Sequence, residues 1–209
     1  MTKTKAYVFL TGIVVFCAFI FFSYLVHKDL FTQTDFNTTV RLQNHIPIGF
    51  ETLFSVFSLV GSVEVVSVLL IILIAITRKL KTILILIPYG LIHLIELFGK
   101  FFVTHPGPSF MFFRYDIPFQ FPSSYVQPGS SYPSGHAGRA AFITAILMLF
   151  AFKSKKISNP QKWIILVLIL LYDMTMFVSR IYLGEHWLSD VIGGAILGLS
   201  MGLMSIVLI

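Results

Sequence analysis

The sequence predicts an all-α integral membrane protein, a bundle of six transmembrane helices, and three observations support this prediction. Of the 209 residues, 56% are hydrophobic and only 11% are charged, and the mean hydropathy is +0.89. An average soluble domain carries about 25% charged residues. Positive residues lie between alternate apolar stretches. Six stretches reach the roughly 20 residues that a spanning helix needs, at about 6–26, 52–76, 82–103, 136–152, 163–183 and 190–209.

The lysines and arginines between these stretches predict the orientation of the chain in the membrane. With six spans, the positive-inside rule makes their side cytoplasmic, so both termini are expected in the cytoplasm. The loops 27–50, 104–135 and 184–189 then face outward. The formal net charge of +6 is explained by this topology and not by binding to nucleic acid. The residues that fall on the cytoplasmic side are Lys3, Lys5, Arg78, Lys79, Lys81, Lys153, Lys155, Lys156 and Lys162.

The first apolar stretch is predicted to be an uncleaved span. Its run from Ala6 to Val26 is longer than the apolar core of a signal peptide, and no small-residue cleavage site follows it. The polar segment 27–50 is expected to hold a short helix lying in the membrane interface, which Pro47 ends before the second span. The single cysteine, Cys17, supports neither a disulfide framework nor a metal cluster.

The later elements are less regular. Polar residues interrupt the third and fourth stretches, and the long outer loop 104–135 is rich in Phe and Pro. That loop either covers a site and admits a lipid, or anchors at the headgroup level without selectivity. The last stretch carries Gly194, Gly198 and Gly202, four residues apart, a stripe that lets a neighbouring helix approach closely. Packing within the monomer is the preferred interpretation, and a dimer interface is the alternative.

Ionisable residues cluster near the outer ends of the last four spans, where they are costly unless they face a protein interior or a wet cavity. The topology was derived from different residues, so this convergence on one membrane face indicates a functional site. The clustered residues are Lys100, His136, Arg139, Arg180, His186 and Asp190.

The residue types in this cluster point to phosphate chemistry. His186 and Asp190 have i, i+4 spacing, so a carboxylate can fix the imidazole tautomer and leave the other ring nitrogen free to attack. Glu185 is expected to point elsewhere. A second histidine, His136, provides a proton for a leaving oxygen.

A phosphate group is the anion that suits the surrounding cations. Lys100, Arg139 and Arg180 are expected to form its pocket, and the amides near Ser134 and Gly135, at a helix start, add donors. The carboxylate set that magnesium prefers is absent from this face, so the sequence predicts a reaction without metal or cofactor.

Two segments of this region resemble signature motifs of the type 2 phosphatidic acid phosphatase family, the membrane lipid phosphate phosphatases. "PSGH" at 133–136 resembles the second motif, and "SRIYLGEHWLSD" at 179–190 resembles the third. The pattern of the third motif, S-R-x5-H-x3-D, is matched at each of its defined positions, which are Ser179, Arg180, His186 and Asp190.

The resemblance implies a role for each matched residue. His186 would form a phosphohistidine, Asp190 would orient it, and His136 would protonate the leaving group. The phosphoryl oxygens would be held by Arg180, by Lys100 and by the backbone at Ser134 and Gly135. Water would then release phosphate without a metal cofactor.

The first motif of that family, K-x6-R-P, is matched only in part. Lys100 and Pro108 are present, but the arginine position holds Gly107. Arg139 lies one helical turn after His136, and one hypothesis is that it replaces the phosphate-binding guanidinium. The alternative is that Arg139 extends to the lipid headgroups, and His105 and Arg114 are lesser candidates for the same role.

Three acidic residues within the apolar stretches, Glu64, Glu96 and Asp173, are interpreted as members of buried structural pairs before any catalytic role. Glu96 lies four residues before Lys100, so a pair between them is expected.

The sequence as a whole predicts a multi-pass protein of the plasma membrane, with a lipid phosphate phosphatase site that faces outward. Undecaprenyl diphosphate is the preferred substrate, because that carrier is released on the outer side, and phosphatidylglycerophosphate and phosphatidic acid are alternatives. A lipid phosphotransferase and a non-catalytic lipid-binding or transport protein are the other hypotheses.

Overall fold

The structure, a computed structural model, describes residues 3–119, 121 and 129–208. Part of the predicted outer loop, 120 and 122–128, lies outside the described residues, as does the last residue of the sixth predicted span. The described chain forms α-helices joined by short 3-10 turns and loops. The helices are α1 (Lys3–His27), α2 (Thr32–His45), α3 (Glu51–Ser58), α4 (Val63–Thr77), α5 (Leu86–Phe102), α6 (Gly135–Lys153), α7 (Asn159–Tyr182) and α8 (Leu188–Met204).

The all-α membrane class is confirmed. Five helical segments are long and apolar enough to cross a membrane: α1, Leu80–Phe102, α6, α7 and Leu188–Leu208. A sixth span is obtained if the bent pair Ile48–Gly61 and Val63–Thr77 counts as one. The cytoplasmic location of both termini stays a prediction.

The second predicted span, 52–76, is not one straight helix. Its two halves meet at 47°. Ser62 has an extended backbone, and its hydroxyl accepts a hydrogen bond from the amide of Val65 at 3.2 Å. This is an N-cap, so the sequence ends one helix and starts another inside an apolar run.

The polar segment after α1 contains the expected short helix, α2. The structure packs this helix against α7 and α8, and Asp35 and Thr39 are its buried residues. A buried aspartate on a polar helix requires hydrogen-bond partners, and these lie at the start of α8.

The helix α6 lies at the centre of the bundle. Its residues from Gly135 to Ile146 are buried without interruption, and it contacts α4, α5, α7 and α8. The glycine stripe of α8 allows this, because Gly194 and Gly198 lie directly against the carbonyl oxygens of Ser134 and Gly138. The stripe therefore packs inside the monomer and brings α8 against α6 at Ser134 and Gly138.

We expect Gly198→Ala to lower stability, because the added Cβ would collide with the carbonyl oxygen of Gly138, which cannot move without shifting α6. Overpacking of this kind costs about 1–3 kcal/mol, which lowers the midpoint of thermal unfolding by roughly 2–12 °C in a chain of this size. Gly90→Ala is the matched control, since nothing lies within 4 Å of a Cβ at that helical position. Equal unfolding temperatures in detergent for the two variants would contradict the close helix contact.

Candidate active site

A cavity of about 1030 Å³ lies where α5, α6 and the end of α7 meet. Six of the eight predicted site residues line it: Lys100, Gly135, His136, Arg139, Arg180 and His186. The other two, Ser134 and Asp190, lie directly behind its wall and are 1% and 0% exposed. The structure thus brings together residues from three helices and from the loop before α8, as the topology predicted.

His186 and Asp190 are in contact. The Nδ1 atom of His186 lies 3.4 Å from Oδ2 of Asp190, and the same oxygen accepts a hydrogen bond from the amide of Trp187 at 2.9 Å. Asp190 lies in the first turn of α8, where backbone amides without an acceptor inside the helix favour a carboxylate. Because Nδ1 faces this carboxylate, the Nε2 atom of His186 is left for other chemistry.

The surroundings keep His186 uncharged. Burial lowers the pKa of His186 well below its ordinary value, and the positive charges of Arg180 and Lys100 act in the same direction. A neutral imidazole has a lone pair on one nitrogen, which is the form that acts as a nucleophile.

Arg180 is paired with Glu185, so the expectation that Glu185 points away from the site is wrong. The two side chains form a salt bridge, each is 4% exposed, and both residues line the cavity. The expectation assumed helical spacing, but residues 183–187 form a turn. In this turn Gly184 has a φ of +69° and folds the chain back onto α7. The Nε atom of Arg180 is buried and has no hydrogen-bond partner among the described residues, so a donor is free for a ligand.

One carboxylate holds the other two cations. Glu96 lies 3.0 Å from Nζ of Lys100 and 3.1 Å from Nη1 of Arg139, so the expected pair of Glu96 and Lys100 is present. The carboxylate also lies against Gly135, where a Cβ would collide with it. Two positive charges share one negative charge at the start of α6, which leaves a net positive charge beside the helix amides.

Arg139 does not extend to the lipid headgroups. It is 4% exposed, and its Nε donates to the carbonyl oxygen of Gly61 at 2.9 Å. Its Nη2 lies 3.5 Å from Nδ1 of His136, so the guanidinium flanks the imidazole and leaves Nε2 on the far side of the ring. The guanidinium of Arg139 already contacts three partners. Direct binding of phosphate by Arg139 stays a prediction.

The start of α6 is built as the sequence suggested. Ser134 is the N-cap, and its hydroxyl accepts from the amide of Ala137 at 3.5 Å. The first amides of a helix have no acceptor inside the helix, so they are available to an anion. Of the motif residues 133–136, Gly135 and His136 line the cavity.

The lesser candidates for the missing arginine fall in different places. Gly107 and His105 line the cavity, whereas Arg114 lies near Glu51, at 3.8 Å, and over the ring of Tyr182. One oxygen of Asp173 accepts a hydrogen bond from Thr144 at 2.9 Å, and its structural role stays an interpretation. Over 3–119, 121 and 129–208, no group of three or more His, Cys, Asp or Glu side chains is arranged to hold a metal ion.

A family model agrees with this site. The model of the PAP2 superfamily matches residues 80–209, which include all the predicted site residues. The chain belongs to the PAP2 superfamily. The resemblance of its two motifs to the type 2 phosphatidic acid phosphatases is therefore confirmed.

Individual PAP2 proteins are similar to parts or most of the chain. A stretch of 69 residues is 33% identical to phosphatidylglycerophosphatase B of Bacillus subtilis (strain 168), covering 33% of this chain and only about a third, 34%, of that relative. The crystal structure of a transmembrane PAP2-type phosphatidylglycerolphosphate phosphatase from Bacillus subtilis superposes with a TM-score of 0.74 at 19% identity, over 91% of this chain and 92% of that one. The crystal structure of Aquifex aeolicus LpxE gives a TM-score of 0.61 at 26% identity, over 82% and 94%. The chain thus has the fold of the PAP2 membrane phosphatases.

Proposed function

We propose that this protein is a membrane lipid phosphate phosphatase that works through a phosphohistidine on His186. The observation that carries the proposal is the contact between His186 and Asp190 in a cavity lined by Arg180, Lys100 and His136. A carboxylate-oriented, uncharged histidine among cations suits attack on an anionic phosphorus centre.

Each chemical step has a residue for it. The Nε2 lone pair of His186 attacks phosphorus, and the P–O bond to the leaving group breaks. His136, in the protonated form that a bound phosphate favours, gives its Nε2 proton to the leaving oxygen. Water then attacks the phosphohistidine and passes a proton to His136, the P–N bond breaks, and inorganic phosphate leaves.

The phosphoryl oxygens are bound by groups that have donors to offer. The free Nε of Arg180, the ammonium group of Lys100 and the first amides of α6, at Gly135 and His136, surround one side of the cavity. Charge-assisted hydrogen bonds of this type strengthen as charge develops on the oxygens during transfer. We assign Arg139 to orienting Glu96, with phosphate contact secondary.

The substrate class is a phosphorylated membrane lipid. Similarity to a relative and to a solved structure from Bacillus subtilis, both named as phosphatidylglycerophosphate phosphatases, supports phosphatidylglycerophosphate as the first substrate to test. Undecaprenyl diphosphate, which the outward topology favours, and phosphatidic acid are the next two. No cofactor is required in the proposed chemistry.

The test is release of inorganic phosphate by the purified protein in detergent. The panel holds phosphatidylglycerophosphate, phosphatidic acid and undecaprenyl diphosphate, each with and without a chelator of divalent cations. Release from at least one lipid, unchanged by the chelator, is the expected result. No release from any of the three would overturn the proposal in favour of a lipid-binding role. Transfer of the phosphoryl group to an added lipid alcohol, instead of release as free phosphate, would indicate a transferase.

The pH dependence of the reaction follows from the environment of His186. A lowered pKa means that the neutral, nucleophilic form persists as the pH falls through the ordinary histidine value of about 6.5. We expect the acid limb of kcat/KM, the pH below which activity is lost, to lie below that value. A limb at or above the ordinary histidine value would contradict the buried, cation-flanked setting of His186.

A further inference from the structure

A second buried cluster lies beside Asp190, and one of its members, His105, also lines the cavity. It consists of Asp35 from α2, His105 from the segment after α5, and Ser189 at the start of α8, which are 2%, 5% and 2% exposed. The proposed reaction uses none of them, yet they form a connected set of polar contacts in the centre of the protein. Burying such groups is costly unless they satisfy one another.

The distances define the direction of the hydrogen bonds. Ser189 donates its amide to Oδ1 of Asp35 at 2.8 Å and its hydroxyl to Oδ2 at 2.7 Å. The hydroxyl hydrogen is then committed, so the contact of 3.1 Å between Oγ of Ser189 and Nε2 of His105 requires the histidine to donate. Asp35 thereby fixes the hydrogen of His105 on Nε2.

That hydrogen also faces the catalytic carboxylate. Nε2 of His105 lies 3.6 Å from Oδ1 of Asp190, an oxygen that is buried and has no hydrogen-bond partner among the described residues. The other oxygen of Asp190 is used by Trp187 and His186. His105 is thus positioned to stabilise the negative charge of the carboxylate that orients His186.

We propose that His105, with its hydrogen held on Nε2 by Asp35 through Ser189, is a positioning residue that keeps Asp190 ionised and directed at His186. The role in turnover rests on the proposed function, whereas the hydrogen-bond direction does not. Asp35 lies on α2, outside the residues 80–209 that the family model matches. A part of the chain before the matched region therefore contributes to the site.

The first test needs no turnover. Nitrogen-15 NMR of labelled histidine in the full-length protein reports which ring nitrogen carries the hydrogen. His105 is expected to carry it on Nε2. In Asp35→Asn, the side-chain oxygen of the asparagine still accepts from the amide of Ser189, so its NH2 group faces Oγ of Ser189. The NH2 group can only donate, and the serine hydroxyl therefore donates to Nε2 of His105 instead. The hydrogen of His105 then moves to Nδ1, and an unchanged tautomer would overturn the inference.

The second test is kinetic and uses His105→Leu, His105→Gln and an exposed histidine of α2, His45→Leu, as the matched control. His105→Leu is expected to lower kcat roughly tenfold, the lower end of the range for a hydrogen bond to a charged group, because the contact of 3.6 Å between Nε2 and Oδ1 of Asp190 is longer than a hydrogen bond. KM is expected to change less than about threefold. His105→Gln keeps a neutral N–H donor and is expected to recover most of the rate, while His45→Leu behaves as wild type.

The pH profile separates positioning from mere packing. The charged or titratable groups that face His105 are Asp35 from α2, Asp190 from α8 and the ring of Tyr132 before α6. Losing the donor makes proton uptake by the pair of His186 and Asp190 easier, so the acid limb of kcat/KM moves to higher pH in His105→Leu. An unmoved limb, or equal rates for the leucine and glutamine variants, would overturn the positioning role. Absence of phosphate release by wild type would instead contradict the proposed function and leave the NMR test decisive.

Discussion

Replacing His186 by alanine is expected to lower the rate of lipid phosphate hydrolysis by at least about 10⁴-fold, because removing a nucleophile removes the covalent route. The cavity stays otherwise intact, since the cations and the start of α6 do not depend on this side chain. Substrate binding should therefore change little. Phosphate release at saturating lipid, compared with His45→Ala on the exposed face of α2, is the measurement.

The covalent step gives this prediction a second readout. A phosphate bound to nitrogen is labile in acid and stable in alkali, so rapid quenching in alkali with labelled lipid should trap labelled protein in wild type and none in His186→Ala. If the alanine variant still acquires label, the nucleophile is another residue. If it hydrolyses the lipid at the wild-type rate, the phosphohistidine mechanism is wrong.

Replacing His136 by glutamine is expected to lower the rate by about 10²–10⁴-fold, the range for loss of a general acid. The loss should depend on the leaving group. A lipid alcohol leaves poorly without a proton, whereas the phenolate of an aryl phosphate leaves readily by itself. The variant should therefore lose far more activity on a lipid phosphate monoester than on a soluble aryl phosphate.

The comparison is made as a ratio of the two rates in the same preparation, which cancels differences in the amount of folded protein. His45→Gln serves as the control and should leave the ratio at its wild-type value. An equal loss of activity on both substrates would assign His136 to binding or folding and not to proton transfer.

The helices and the main site were predictable from the sequence for physical reasons. A long apolar stretch in a bilayer must satisfy its own backbone hydrogen bonds, which favours a helix. Ionisable residues inside such stretches, such as Arg180 and His136, are costly and therefore indicate a functional site. The break at Ser62 was not predictable in the same way, because a single capping hydroxyl decides it within a run that remains apolar on both sides.

The contacts that were missed depend on the path of the chain between helices. Glu185 reaches Arg180 because Gly184 turns the backbone, which a helical projection of the motif does not represent. Asp35 reaches Ser189 across 154 positions of sequence, and its polar helix carries no apolar pattern that points to the site. His105 was considered only as a phosphate ligand, whereas the structure places its Nε2 behind the carboxylate of Asp190.

The wall of the cavity has a consequence for how a lipid arrives. Leu97 and Phe101 line it, yet they are 54% and 77% exposed on the outer side of α5. The cavity therefore opens onto an apolar, exposed part of α5. A lipid can place its headgroup in the cavity from the side of α5 while its acyl or isoprenoid chains stay among the chains of neighbouring lipids. The charged headgroup then does not cross hydrocarbon, and the apolar chains do not enter water.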